Sequence, residues 1–178
     1  MPSPFVGQPE RDMQLRPATP RDFPFIRQIA QDPENSPFIT DEPEEVLQSY
    51  LDGSRDLLLI ADEDGVPVGY GLFGEIGEAS GRVELRRLGL ALRDGGRGRR
   101  FLGGLIDYGF EVLGAKRIWL DASGENSRAM ALYQKMGFRR EGILRQHWYR
   151  PALGRVVDLH LFGMLREDWA EARAEAEG

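Results

Sequence analysis

A glycine-rich break between a strand pattern and a helix pattern constrains this chain more than any other feature. Val83-Glu84-Leu85-Arg86-Arg87-Leu88-Gly89-Leu90-Ala91-Leu92 reads as an extended segment, and Phe101 to Leu113 carries the apolar recurrence of a helix. Between them lies Arg93-Asp94-Gly95-Gly96-Arg97-Gly98-Arg99-Arg100. A glycine-rich turn feeding a helix start gathers unpaired backbone N–H groups and the positive end of the helix dipole on one spot. Such a place holds a phosphate or pyrophosphate, so the junction points to a phosphorylated cofactor.

The charge pattern agrees. The 178-residue chain carries a net charge of −6, yet residues 82 to 100 hold seven arginines against two acids, Glu84 and Asp94. A basic segment in an acidic chain suits a discrete anion, whereas nucleic acid usually asks for a basic domain. A solvated arginine face is the alternative reading, and the number of glycines counts against it. Two familiar phosphate loops are excluded. The nucleoside-triphosphate loop ends in Gly-Lys-Ser/Thr, and here Gly98 is followed by Arg99 and Arg100. The dinucleotide fingerprint would place its third glycine at Phe101, where a ring obstructs close helix–strand packing.

The length suits one domain with a substantial core. The absence of cysteine excludes disulfides, thiol catalysis and thiolate metal sites, and His147 and His160 are too few and too far apart for a histidine-rich metal centre. No apolar run approaches the ~20 residues of a membrane span, and a cytoplasmic location is the default expectation.

Strand patterns are expected at Met13–Ala18, Leu57–Ala61, Val66–Ile76, across the arginine-bearing segment, and at Arg117–Asp121. A closing antiparallel pair is expected at Phe138–Arg150 and Arg155–Leu165. Helices are expected after Thr19-Pro20, from Asp41-Glu42-Pro43 to about Leu51, and from Asn126 to Met136. Alternating helices and strands with two hairpins describe an α/β domain with a mixed, twisted sheet of about seven strands.

The segment Asn126-Ser127-Arg128-Ala129-Met130-Ala131-Leu132-Tyr133-Gln134-Lys135-Met136-Gly137-Phe138 is the second informative stretch. Asn126 is a good helix N-cap and Gly137 a good stop. Ala129, Leu132, Tyr133 and Met136 fall on one helical face, expected to be buried. Asn126 and Tyr133 project from nearly the same side, ~10 Å apart along the axis.

Arg93-x-x-Gly96-x-Gly98, followed about thirty residues later by Asn126-x-x-Ala129-x-x-Leu132-Tyr133-x-x-x-Gly137-Phe138, resembles motifs A and B of the GCN5-related N-acetyltransferase (GNAT) superfamily. "ELRR" at 84–87, "GAKRIWLD" at 114–121, "GFRREGILR" at 137–145 and "LREDW" at 165–169 resemble its RimJ/RimL-like branch. The resemblance implies a single-domain fold with a splay between the strands at 83–91 and 116–121. The proline-rich, polar residues 1–12 are expected to form a flexible leader and the acidic, alanine-rich residues 170–178 a tail, which leaves 13–169 as the N-acetyltransferase domain that the resemblance implies. The implied co-substrate is acetyl-coenzyme A and the implied acceptor is a primary amine, on a small molecule or a protein N-terminus. A homodimer is compatible with it; no nucleic-acid or membrane partner is implied.

Carried over by position, the resemblance gives the backbone N–H groups of Gly95, Gly96, Arg97, Gly98, Arg99 and Arg100 to the coenzyme A pyrophosphate, next to Arg93. It gives main-chain groups of Leu88 and Leu90 to the pantetheine arm, and Asn126 to the same region. It makes Tyr133 the proton donor to the departing thiolate and Glu84 the general base. Alternatives stand beside these roles. Tyr133 also reads as a core aromatic, Asn126 as a cap only, and Glu84 as the ion-pair partner of Arg86 or Arg87. His147, Trp148 and Tyr149 lie in the closing pair, which by the resemblance lines the acceptor pocket; His147 also reads as a hydrogen-bonded structural histidine, and Trp148 and Tyr149 as sheet-packing residues. A non-catalytic acyl-coenzyme A-binding module on the same fold is the alternative function.

Overall fold

The computed structural model describes residues 13–178; the expected leader at 1–12 lies outside them. The strands are β1 (Met13–Pro17), β2 (Leu57–Glu63), β3 (Val66–Gly74), β4 (Arg82–Leu90), β5 (Arg117–Ser123), β6 (Arg139–Arg150) and β7 (Arg155–Leu165). The helices are α1 (Phe23–Gln31), α2 (Glu44–Asp52), α3 (Arg97–Glu111), α4 (Ser127–Lys135) and α5 (Arg166–Glu177). The α5 helix runs without a break across the boundary expected between residues 169 and 170.

All seven strands form one sheet in the order β1-β2-β3-β4-β5-β7-β6. Every neighbouring pair is antiparallel except β4 and β5, which are parallel. That exception follows from the connection: the α3 crossover returns the chain in the same direction, as parallel neighbours require. The β4–β5 ladder is short. It joins Arg82 to Arg117, Val83 to Ile118 and Glu84 to Trp119 and then stops, although both strands continue. Past Glu84 the two strands diverge, and the expected splay opens there.

Side-chain alternation assigns the two faces of the sheet. Leu59, Phe73, Val83, Leu85, Ile118, Leu120 and Phe162 pack with Phe101, Leu105 and Phe110 of α3 and with Tyr133 of α4. Leu58, Ile60, Tyr70 and Leu72 face the other way, onto Phe23, Ile26 and Ile29 of α1 and Leu47 of α2. The α1 helix is fixed at its start by Asp22, whose carboxylate accepts from the Thr19 backbone N–H at 2.8 Å and takes a two-pronged contact from Arg16 at 2.9 Å. The β2–β3 hairpin turns at Asp64 and Gly65, with φ of 53° and 77°, the backbone that a tight hairpin demands.

Within β4 the register slips. Leu72 faces Arg87 but Phe73 faces Leu85, so Arg86 is an extra residue bulged out of the ladder. The bulge keeps Leu88 and Leu90 on the same face as Val83 and Leu85, and turns Arg87 and Gly89 onto the α1 face with Glu84.

Candidate active site

The splay holds a cavity of about 250 Å³. Of the residues expected at the site, Leu88, Leu90, Arg93, Gly98, Asn126 and Tyr133 line it. Beyond Glu84 the edge of β4 that faces β5 has no ladder partner, so its backbone polar groups open onto this space.

The loop before α3 has a division of labour that the sequence does not announce. Gly95 and Gly96 have φ of 66° and 72°, in the left-handed region, and Gly96 caps α3. Gly98 is not among the positive-φ glycines; its role is to leave space at the cavity wall. In the first turn the Arg97 N–H is taken by the Asp94 carbonyl at 3.3 Å, which leaves the N–H groups of Gly98 and Arg99 as orphans of the helix start.

Two of the loop's arginine side chains, those of Arg97 and Arg100, are committed inward. Arg97 forms a fork onto Glu63, both contacts at 3.1 Å, and also binds Asp94 at 2.8 Å. Arg100 donates to the Gly95 carbonyl at 2.7 Å and lies 3.6 Å from Glu63. Glu63, only 4 % exposed at the end of β2, is thus an anchor under the loop. Arg93 reaches across the cleft to Glu34 at 3.3 Å. Arg99 is exposed and in no ion pair among the described residues.

On the opposite wall, Asn126 caps α4 by accepting from the Ala129 N–H at 3.2 Å, so its amide NH₂ is left for a ligand. Gly137, at φ 106°, ends the helix. The expected buried face is only partly core: Tyr133 is buried, whereas Ala129 and Leu132 line the cleft and are half-covered. Tyr133 sits edge-on to Phe138 and Phe162, at 6.1 and 5.6 Å between ring centres. Burial pushes its phenol well above the ordinary value, and the nearby Asp121 carboxylate adds to the shift.

Glu84 does not line the cavity. Its carboxylate accepts from Arg86 Nε at 3.1 Å, and Arg86 also binds Asp56 at 3.2 Å. Burial nevertheless pushes the Glu84 carboxyl up, against the opposing pull of Arg86. The cleft carries a second carboxylate that sequence reasoning passed over, Asp121. It lies on β5 two residues beyond Trp119, the partner of Glu84, and so on the same sheet face. Burial pushes its carboxyl up, Arg87 and His147 pull it down, and it has no ion-pair partner among the described residues.

Phe38 and Ile39, from the segment between α1 and α2, and Trp148 of β6 complete the wall. Tyr149, by contrast, is 59 % exposed. The segment is tied to β6 by Arg150, which donates to the carbonyls of Ser36 and Pro37 and to the Thr40 hydroxyl at 2.9–3.0 Å. The signals for these residues were faint: a lone aspartate ending a strand pattern, and aromatics in a closing hairpin.

A parallel pair splayed over a cavity, a left-handed glycine loop at one end and a buried tyrosine at the other make up the cleft. The chain belongs to the acetyltransferase (GNAT) family, whose pattern matches residues 23–138. It is 38% identical over 66 residues to an uncharacterized N-acetyltransferase, p20, of Bacillus licheniformis, a stretch covering 37% of this chain and 36% of that protein. It is 24% identical over 163 residues to the spermidine N(1)-acetyltransferase of Escherichia coli K12, covering 84% of this chain and 88% of that one. Among solved structures it resembles the spermidine N-acetyltransferase of Vibrio cholerae in complex with CoA and spermine, with a TM-score of 0.79 at 20% identity over 89% of this chain and 98% of that one. A dodecameric structure of the same Vibrio enzyme matches at a TM-score of 0.74 and 22% identity, over 88% and 95% of the two chains. The segment shared with p20 spans about a third of that relative's length.

Proposed function

We propose that the chain moves an acetyl group from acetyl-coenzyme A directly to a primary amine in the cleft between β4 and β5. The observation that carries this reading is the convergence, on one cavity, of a free strand edge, an orphaned helix start, a buried phenol and a half-buried carboxylate. The fit to coenzyme A rests on the first turn of α3: the Gly98 and Arg99 N–H groups lack acceptors among the described residues, and left-handed Gly95 and Gly96 keep side chains away from them. The pyrophosphate is assigned to the N–H groups of Gly95, Gly96, Gly98 and Arg99, since those of Arg97 and Arg100 are taken by the Asp94 and Gly96 carbonyls; the pantetheine arm is assigned to the β4 edge at Leu88 and Leu90 and to the Asn126 amide. Arg93, Arg99 and Arg128 are the cations at this end, whereas Arg97 and Arg100 act by bracing the loop on Glu63.

Acetyl-coenzyme A supplies the acetyl group as a thioester. A main-chain N–H near Leu88 is the donor available to the thioester oxygen. Tyr133, held protonated by its burial, gives its proton to the leaving sulfur. Asp121, facing the cavity, takes the proton from the amine. Glu84 is the second reading for that base, favoured by its own burial-raised carboxyl, and acts through water because it stands outside the cavity wall.

The acceptor is a primary amine; the RimJ/RimL-like branch is the placement that the stretches at 84–87 and 137–145 support. We place the enzyme in the cytoplasm, where acetyl-coenzyme A is made and used; no helix among the described residues is long and apolar enough to cross a membrane. A homodimer through the β6 edge is proposed from the exposure of Ile143 (47 %), Leu144 (37 %) and Tyr149 (59 %) on that strand. Free thiol released from acetyl-coenzyme A, measured across a panel of primary amines, tests the activity. Binding of coenzyme A without release for any amine would identify a non-catalytic acyl-coenzyme A module.

A further inference from the structure

Arg87 is the least satisfied cation of the cleft. It follows the Arg86 bulge on β4 and stands in the cavity wall on the sheet face shared with Asp121. Its Nη1 donates to the Arg86 carbonyl at 3.1 Å. Its Nη2 reaches Glu42 Oε1 only at 3.4 Å, an oxygen that already accepts from the Tyr50 hydroxyl at 2.9 Å. The Nε–H is buried without an acceptor among the described residues. A buried donor left so is costly, and a guanidinium is built to meet planar anions with two parallel N–H groups.

A second arginine adds to the field independently. Arg150, 2 % exposed, is met among the described residues only by neutral oxygens: the Ser36 and Pro37 carbonyls and the Thr40 hydroxyl. It stacks on Trp148 at 4.2 Å, and the positive charge of Arg87 is close enough to repel it. The other cleft arginines are accounted for: Arg86 is paired with Glu84 and Asp56, Arg93 with Glu34, and Arg128 stands at the cofactor end beside Asn126. Among the acids of the cavity wall only Asp121 has no ion pair. The acceptor end therefore presents Arg87, whose anion Glu42 lies at 3.4 Å and is shared with Tyr50, and one carboxylate, Asp121, with Phe38, Ile39 and Trp148 as its apolar wall; Arg150 adds its charge from outside the lining, stacked on Trp148.

We propose that the acceptor is a small amine that also bears an anionic group, of which an amino acid with an apolar side chain is the simplest, and that Arg87 binds that anion. This rests on the acetyltransferase reading for its chemistry: the amine lies toward Asp121 and the thioester, the anion toward Arg87. A linear polyamine would place its second ammonium in the field of Arg87 and Arg150, where it is repelled.

The test uses matched pairs, phenylalanine with phenethylamine and leucine with isoamylamine. The phosphonate analogue of phenylalanine forms a third arm and spermidine a polycation arm. Binding of each to the protein loaded with coenzyme A is measured by titration calorimetry, and thiol release from acetyl-coenzyme A separately. The carboxylate member of each pair is expected to bind at least 10-fold tighter than its decarboxylated amine, and Arg87→Met to bring that ratio to within 3-fold. Glu42→Gln removes the competing partner of Arg87 and should tighten carboxylate binding in the opposite direction, independently of how well the methionine variant folds. Tighter phosphonate than carboxylate binding would support the site and name its anion as the more highly charged one. Equal or tighter binding of the plain amines or spermidine, or a ratio untouched by both substitutions, overturns the proposal. Absence of thiol release despite that binding preference would overturn the acetyltransferase reading and leave the anion site standing.

Discussion

Tyr133 and Asp121 meet in the same cleft, and burial acts on both by favouring the neutral form. For the phenol this preserves a proton donor at any physiological pH; for the carboxyl it moves a proton acceptor toward neutrality. Tyr133→Phe keeps the edge contacts to Phe138 and Phe162 and deletes only the hydroxyl. We expect near-parental melting and acetyl-coenzyme A binding, with kcat lower by roughly 10- to 10³-fold, or about 1.4 to 4 kcal/mol of barrier. Parental turnover would assign the thiolate's proton to another group, and a collapse in melting temperature would make Tyr133 a core residue first. The Asp121 carboxyl is raised in the folded protein, so the base is present above that raised value and is lost as pH falls through it. The acid limb of kcat/KM should therefore lie above the ordinary carboxylate range of about 4. Asp121→Asn should erase it with a loss of roughly 10²-fold. If Glu84→Gln erases the limb and Asp121→Asn spares it, the base is Glu84.

At the level of elements, the glycine loop and the bulged strand set the site. Gly96, at φ 72°, and Gly98, in ordinary helical backbone, predict different failures on substitution. Gly96→Ala forces a side chain into the left-handed region, a cost of about 1–2 kcal/mol, and should lower stability measurably in a denaturant titration. Gly98→Val meets only Leu132 Cδ2, at 3.6 Å from the added Cβ, so the fold should hold while the new methyls occupy the cavity wall. Calorimetry on the folded Gly98→Val protein should find no coenzyme A binding; parental affinity would put the pyrophosphate elsewhere. The bulge left a trace in the sequence: apolar residues at 83 and 85 are followed by others at 88 and 90, a slip of one in the alternation. Without it Leu88 and Leu90 would leave the core face and Arg87 would leave the acceptor side.

Across the whole molecule, the sheet is divided at a seam of three rungs between β4 and β5. A ligand filling that seam binds only the folded state. At a hundredfold excess over its Kd, coenzyme A should stabilise by about 2.7 kcal/mol, or ~5–11 °C in a domain of this size. Differential scanning fluorimetry with and without coenzyme A measures this, and an unchanged melting temperature would exclude the cleft as the cofactor site.

Local patterns determined much of this protein. Alternation and helical recurrence located the seven strands to within a few residues, because each pattern reflects which side chains face one nearby surface. The resemblance to the acetyltransferase motifs brought Leu88, Leu90, Arg93, Gly98, Asn126 and Tyr133 to notice, all of which line the cleft. Glycine spacing marked the loop before α3, since few backbones need so many glycines. What tertiary structure alone decided is which charges are spent. Arg97 and Arg100 turn under the loop to Glu63, and Arg86 binds Glu84 and Asp56, from partners 30 or more residues away as well as neighbours. Asp121, Arg87 and Trp148 come from three different strands and meet only after the sheet has formed. Whether a charged side chain is neutralised or left facing a cavity depends on these long-range neighbours, and no window of the sequence contains them.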